Sequence, residues 1–307
     1  MKKLSIFLAF VLIFSLALTA CSNGEGSAAP SNDPSSAPSQ AASEPSNEPA
    51  QGGDTLEDTE IQVFIAASLS NAFETIVPLY NETHPNIKIT CNADSSGKLL
   101  SQIQEGFECD IFFSAATAQI KTAQEEGLAI EGSRVDLLQN EVVLITWKGS
   151  GTAVTGIENI GEAKSIALAD GSVPAGKYTR AALQKLGILD ASLTAADITT
   201  QQVSEALGGV EINECGNVSK VCEAVKEGAN EVGTVYYSDA YSVRNDVDIL
   251  EHLSTDLTGD IIYPMIRTVN NEADDAQTAA ADDFYAFLQT PEVMAIFEEN
   301  MFVSNLG

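Results

Sequence analysis

Basic residues are scarce in this chain. Lys and Arg number 15 against 44 Asp and Glu, a formal net charge of −29 over 307 residues. That balance excludes nucleic acid as a partner, because neutralising phosphates needs Lys and Arg. An acidic protein that binds an anion must do so with local dipoles, against its own long-range field. Histidine is scarcer still: His84 stands beside a helix-stopping proline and His252 lies in a polar loop. Neither belongs to a motif and no G-x-S-x-G occurs, so a serine hydrolase would lack its base. The cysteines show neither zinc-type spacing nor C-x-x-C, which argues against structural zinc and thiol redox chemistry. Beyond Cys21, four remain: Cys91, Cys109, Cys215 and Cys222. On one helix Cys215 and Cys222 would sit about two turns apart, too far for a disulfide. The four read as mostly buried free thiols, with room for one pairing. Internal repeats are absent. Apolar residues are nearly missing from Ser22 to about Asp58, a composition that cannot bury a core and reads as a disordered tether.

The extreme N-terminus differs from all of this. Lys2 and Lys3 precede an apolar run, Leu4 to Leu18, which ends in Leu18-Thr19-Ala20-Cys21. Residues 1–20 read as a secretory signal peptide, with an apolar region short for a full membrane span. The last four residues resemble a bacterial lipobox, which makes Cys21 the expected lipidation site. Residues 21–59 then form the lipidated cysteine and its tether.

From Ile61 onward, strand and helix patterns alternate. Strands are expected at Gln62–Ala66, Ile87–Asn92, Asp110–Ser114, Val142–Trp147, Ser165–Ala169, Val232–Tyr237 and Ile261–Val269. Helices are expected at Asn71–His84, Gly97–Glu105, Ala116–Glu126, Lys177–Leu186, Val218–Lys226, Asp274–Gln289 and Pro291–Asn300. The alternation predicts an α/β fold with largely parallel sheets, and the number of elements predicts two of them.

One local pattern recurs. Val63-Phe64-Ile65-Ala66-Ala67-Ser68 is a strand running into small residues, with Ser68 at the expected helix start. Ser95 and Ser96 follow the second strand in the same way. The first N–H groups of a helix have no internal partner and its dipole favours negative charge, so such a point binds anions. Consecutive parallel strands would bring both serine turns to one sheet edge, where ligands bind. Val173-Pro174-Ala175-Gly176 repeats the theme, with Gly176 allowing close backbone approach. Asn217 is a good N-cap before Val218. Tyr236 and Tyr237 end a strand, and a phenol is a neutral donor suited to an oxyanion.

Taken in order, these pieces resemble the molybdate-binding proteins of bacterial ABC importers. The resemblance rests on Ala66-Ala67-Ser68-Leu69 with Asn71-Ala72, on Ser95-Ser96 before Leu99, and on Asp110-Ile111-Phe112-Phe113-Ser114-Ala115. Val173 to Tyr178 followed by Ala182 to Gly187, Asn217-Val218, and Val235 to Ala240 complete it. It implies a two-lobed, type II periplasmic-binding-protein-like fold with the ligand in the interlobe cleft. Lobe 1 would hold residues 60–139 plus about 250–307, and lobe 2 about 140–249. The implied oxyanion contacts are Ser68, Ser95, Ser96, Ala175, Val218 and Tyr236, through hydroxyls and backbone N–H groups and without a metal cation. The implied protein is a lipid-anchored, extracytoplasmic monomer without enzyme activity or cofactor, which passes molybdate or tungstate to an ABC permease. Sulfate or phosphate binding is the alternative, with an adhesive or hydrolytic surface lipoprotein behind it. Two departures stand out. Asp94 occupies a place usually small and neutral, where it would repel a dianion unless paired, or accept a proton from phosphate. The segment from Ala196 to Cys215 is longer than the usual link and is expected to be an added loop.

Overall fold

The computed structural model describes residues 56–306. The expected signal peptide, Cys21 and nearly all of the tether lie outside them. Among the described residues, no helix is long and apolar enough to cross a membrane.

The first half of the fold starts with β1 (Thr59–Ala66), a turn of 3₁₀ helix at Ala67–Leu69, and α1 (Ser70–Thr83). It continues through β2 (Ile87–Asp94), α2 (Ser96–Gln104), β3 (Ile111–Phe113), α3 (Thr117–Glu125) and β4 (Val135–Asn140). The chain then enters β5 (Val142–Trp147), β6 (Ser165–Ala169), α4 (Pro174–Lys185), α5 (Thr200–Ala206) and β7 (Glu211–Cys215). Next come α6 (Val218–Lys226), β8 (Val232–Tyr236), α7 (Tyr237–Ser242) and β9 (Val247–His252). The last elements are α8 (Thr255–Thr258), β10 (Ile261–Arg267), α9 (Asp275–Phe287), α10 (Pro291–Glu299) and β11 (Val303–Ser304).

Two sheets result. The first has the order β11-β4-β10-β3-β1-β2 and the second β7-β6-β8-β5-β9. The chain passes from the first to the second at Glu141, between β4 and β5, and returns between β9 and β10. Alternation in β1 explains how the first sheet is covered on both faces. Val63 and Ile65 pack with Phe73 and Ile76 of α1, Phe284 of α9 and Phe297 of α10. Phe64 faces the other way, into Leu99 and Ile103 of α2 and Ile120 of α3. The Phe73 ring meets Phe113, Phe284 and Phe297 at 6.3–6.5 Å between centroids. Each such buried side chain stabilises the fold by roughly 1.5–3 kcal/mol relative to exposure.

The sheets are mixed, which corrects the expectation of largely parallel pairing. β1 pairs parallel with β2 and β3, and β6 with β7 and β8. β10 runs antiparallel to β3 and β4, and β5 to β8 and β9. A parallel neighbour requires a crossover, usually helical. β5 and β10 carry the chain from one sheet into the other and have no such crossover before them. The segment expected as an added loop is regular structure: α5 followed by the edge strand β7. It is tied down by Arg180, which is fully buried. The Arg180 guanidinium donates to the carbonyls of Ile198, Ala169 and Gly176. All four described cysteines are free thiols. Cys215 ends β7 while Cys222 lies in α6, so they do not share a helix. Cys91 is exposed on the edge strand β2, contrary to the buried reading.

Candidate functional site

Six chain turns, three from each sheet, meet at one small cavity. The first sheet supplies Ala66–Ser68 after β1, Asp94–Ser96 after β2, and Ala115 after β3. The second supplies Val173 and Pro174 at the start of α4, Asn217 and Val218 at the start of α6, and Tyr236 at the end of β8. The cavity volume is about 10 Å³, so the two halves are closed on each other. Larger hollows exist, one of about 580 Å³ beside Gln62 and Phe107, but no helix starts converge there. Among the described residues, no Lys or Arg lines the small cavity.

Each turn is built for donation. Ser95 is the N-cap of α2, and its side chain accepts from the Lys98 N–H at 3.5 Å. The Ser96 hydroxyl accepts from the Ala115 N–H at 2.9 Å, which leaves its own proton for another partner. In α4, Pro174 takes the first helical position and has no N–H. Ala175 is therefore the first residue of α4 whose N–H lacks an intrahelical acceptor. Asn217 caps α6 by accepting from Lys220 N–H at 3.0 Å, and Val218 follows as its first residue.

The structure brings Ser68, Ser95, Ser96, Val218 and Tyr236 to the cavity wall. Ala175, the residue after Pro174 in α4, is not part of the wall. Ser68 departs from its expected role. It sits within the 3₁₀ turn, caps no helix, and bonds Tyr263 Oη at 2.9 Å. Gly176 departs as well. An added Cβ would meet the Asp170 and Ala169 carbonyl oxygens at 2.2 and 2.3 Å, so this glycine serves helix–strand packing and not ligand approach. Asp94 reaches the cavity but is already engaged. Its Oδ1 accepts from Ser95 N–H at 2.7 Å and from Asn217 Nδ2 at 3.2 Å, with Lys98 Nζ at 3.5 Å. The Asn217 bond joins the two halves. They also touch at Gly97, where an added Cβ would sit only 3.0 Å from the Ser172 carbonyl oxygen.

Tyr236 is the exceptional group. It is 2% exposed and its hydroxyl has no hydrogen-bond partner among the described residues. A buried hydroxyl left unsatisfied is costly and marks a place where a partner is expected. Burial pushes the Tyr236 and Tyr263 phenols well above the ordinary tyrosine range, so both keep their protons. Their rings lie 5.6 Å apart, nearly edge to face. Tyr263, Asn140 and Asp239 were not foreseen in the sequence. Nothing in the local pattern of β10 or β4 separates Tyr263 or Asn140 from ordinary strand residues. Neither histidine lines the cavity: His84 stacks on Tyr80 at 4.3 Å, and His252 pairs with Glu141 at 2.8 Å.

A closed cleft between two mixed α/β halves, walled by helix starts and neutral hydroxyls, defines a binding protein for a small anion. Residues 61–303 match the family of bacterial extracellular solute-binding proteins, and this chain belongs to that family. YvgL of Bacillus subtilis (strain 168), provisionally named an ABC transporter substrate-binding lipoprotein, is 30% identical over 99% of both chains. The molybdate-binding protein ModA of Escherichia coli (strain K12) is 29% identical over 81% of this chain and 91% of its own. Among solved structures, the periplasmic molybdate-binding protein of Azotobacter vinelandii covers 79% of this chain and 98% of its own. Its identity is 20% and its TM-score 0.63. That likeness is one of fold, the type II periplasmic-binding-protein architecture.

Proposed function

We propose that this chain captures molybdate or tungstate outside the cytoplasm and delivers it to the permease of an ABC importer. The observation that carries the reading is the convergence of three helix starts and the unpartnered Tyr236 hydroxyl on one closed cavity without a cation in its wall. Such a site offers donors and few free acceptors. A fully deprotonated tetrahedral dianion needs only donors, and fixed neutral dipoles in a dry site hold it well. The relatives named for molybdate point to the same ligand class. Hydrogen phosphate fits less well, because it needs an acceptor for its proton and the acidic group in the wall, Asp94, is already tied through Oδ1 to three donors, which leaves Oδ2 alone for that role. Ser68, Ser95, Ser96, Ala175, Val218 and Tyr236 are the proposed contacts to ligand oxygens. The protein acts as a binder without catalysis or cofactor, as a monomer, held to the membrane through a lipid on Cys21 after signal-peptide removal.

A thermal-shift panel tests the ligand. Binding only the native state stabilises it by about 2.7 kcal/mol at a hundredfold excess over Kd, a rise of several degrees. Molybdate and tungstate should raise the midpoint while sulfate and phosphate at equal concentration leave it unchanged. A shift with sulfate or phosphate alone, or with none of the four, would reject the reading.

A further inference from the structure

The hydrogen bonds around Ser68 favour one proton arrangement. The Asn140 amide is oriented by its neighbour: Glu141 N–H donates to Asn140 Oδ1 at 2.8 Å. Its other end is therefore the NH₂, which only donates. That group reaches Ser238 Oγ at 2.9 Å and, more weakly, Tyr263 Oη at 3.4 Å. Tyr263 Oη thus accepts from Asn140. A phenol has a single proton, and the other partner of Tyr263 Oη is Ser68 Oγ at 2.9 Å. Burial keeps that phenol protonated. Among the described residues the remaining partner for the Tyr263 proton is Ser68 Oγ; with the bond so directed, the proton of Ser68 has no acceptor among the described residues. Ser68 is 4% exposed and lines the cavity, so the direction left to its proton is the cleft.

We propose that Tyr263, held by Asn140 at the crossover between the sheets, is a positioning residue that makes Ser68 an obligate donor toward the bound oxyanion. The inference rests on the oxyanion reading above. A free serine hydroxyl donates or accepts with equal ease and tolerates a ligand O–H. A serine that already accepts from Tyr263 presents a proton, so it favours a bare oxygen and penalises a protonated one. Tyr263 therefore contributes to selection of dianions without hydroxyl groups over hydrogen phosphate or hydrogen arsenate, although it touches neither ligand. Its place matters for a second reason. Asn140 ends β4, one residue before the crossover, and its NH₂ joins Ser238 of the second half to Tyr263 of the first. Asn140, Tyr263 and Ser68 all stand in the first half, so the relay itself lies there, and the Asn140–Ser238 bond ties it to the second half.

The test is a double-mutant cycle by titration calorimetry with molybdate, and with hydrogen arsenate as the protonated competitor. Tyr263→Phe removes one oxygen without changing shape. It should weaken molybdate binding about fivefold to tenfold, narrow the preference for molybdate over arsenate, and leave the ligand-free melting midpoint within a few degrees. Ser68→Ala should cost more, and adding Tyr263→Phe to Ser68→Ala should cost nothing further. The relay is overturned if Ser68→Ala weakens binding while Tyr263→Phe does not, or if the Tyr263→Phe cost is undiminished without the Ser68 hydroxyl. A parent protein that binds no oxyanion overturns the underlying reading, and the relay with it.

Discussion

At the scale of single residues, the site is economical: almost every polar atom near the cavity has a partner, and the Tyr236 hydroxyl does not. A hydrogen bond to a charged group contributes roughly 1.5–3 kcal/mol, while an unsatisfied buried hydroxyl costs about 1–3 kcal/mol. Tyr236→Phe should therefore weaken molybdate binding by about tenfold to a hundredfold, measured by calorimetry. The same change should not lower the ligand-free melting midpoint, since it removes a group with no partner. Equal affinity in the variant would show that the hydroxyl points away from the ligand. The residues that touch the cavity were legible in the sequence because helix starts and serine turns have local signatures. Tyr263 and Asn140 were not, because their roles arise from pairing across more than a hundred residues of chain. Asp94 was legible as a difficulty, and its resolution was not: Asn217, which pairs with it, lies in the other half of the fold.

At the scale of elements, the strand–small turn–helix units were legible from periodicity, and their boundaries from caps. The start of α4 was misplaced because Pro174 and Gly176 read as turn punctuation. Proline is favoured at the first helical position, where its missing N–H costs nothing. The strands β7 and β9 were missed because they are sheet edges, where polar residues such as Glu211, Glu214 and Asp248 replace an apolar run. Gly176 illustrates how an element-level contact resembles a ligand contact in sequence. Gly176→Ala would drive a Cβ into the backbone carbonyls of Ala169 and Asp170, and backbone cannot give way cheaply. Overpacking of this kind costs roughly 1–3 kcal/mol, or about 2–12 °C in melting midpoint for a unit of this size. Differential scanning calorimetry of the ligand-free protein should show that loss. A variant of unchanged midpoint but weakened binding would restore the view that Gly176 admits the ligand.

At the scale of the whole molecule, the two halves are closed on each other, and in this closed form Asp239 is buried. This carboxyl is 5% exposed, and its Oδ2 has no partner among the described residues. It shares a cavity of about 160 Å³ with Ala67, Ser70 and Asn71 of the first half. Cys222, Glu223 and Lys226 of α6 face the same space, and the Tyr236 and Tyr263 phenols lie close enough to feel its charge. Burial pushes the Asp239 carboxyl up to about 7 in this closed form. Opening the halves would hydrate it and return it toward the ordinary value of roughly 4. The closed state thus holds a proton that the open state releases between those two values. By linkage, closure is favoured as pH falls below about 7 and gains nothing from further changes well above it. A bound dianion nearby pushes in the same direction, since it disfavours the carboxylate. Molybdate affinity should therefore be roughly tenfold tighter at pH 6 than at pH 8. Calorimetry at pH 7 in two buffers of different ionisation enthalpy should register uptake of a fraction of a proton on binding. Asp239→Asn should bind with an affinity nearly constant over the same range and take up no proton. An unchanged pH dependence in Asp239→Asn would assign the linkage to another group, and a parent affinity flat from pH 6 to pH 8 would mean that Asp239 keeps the same surroundings in the open and closed forms.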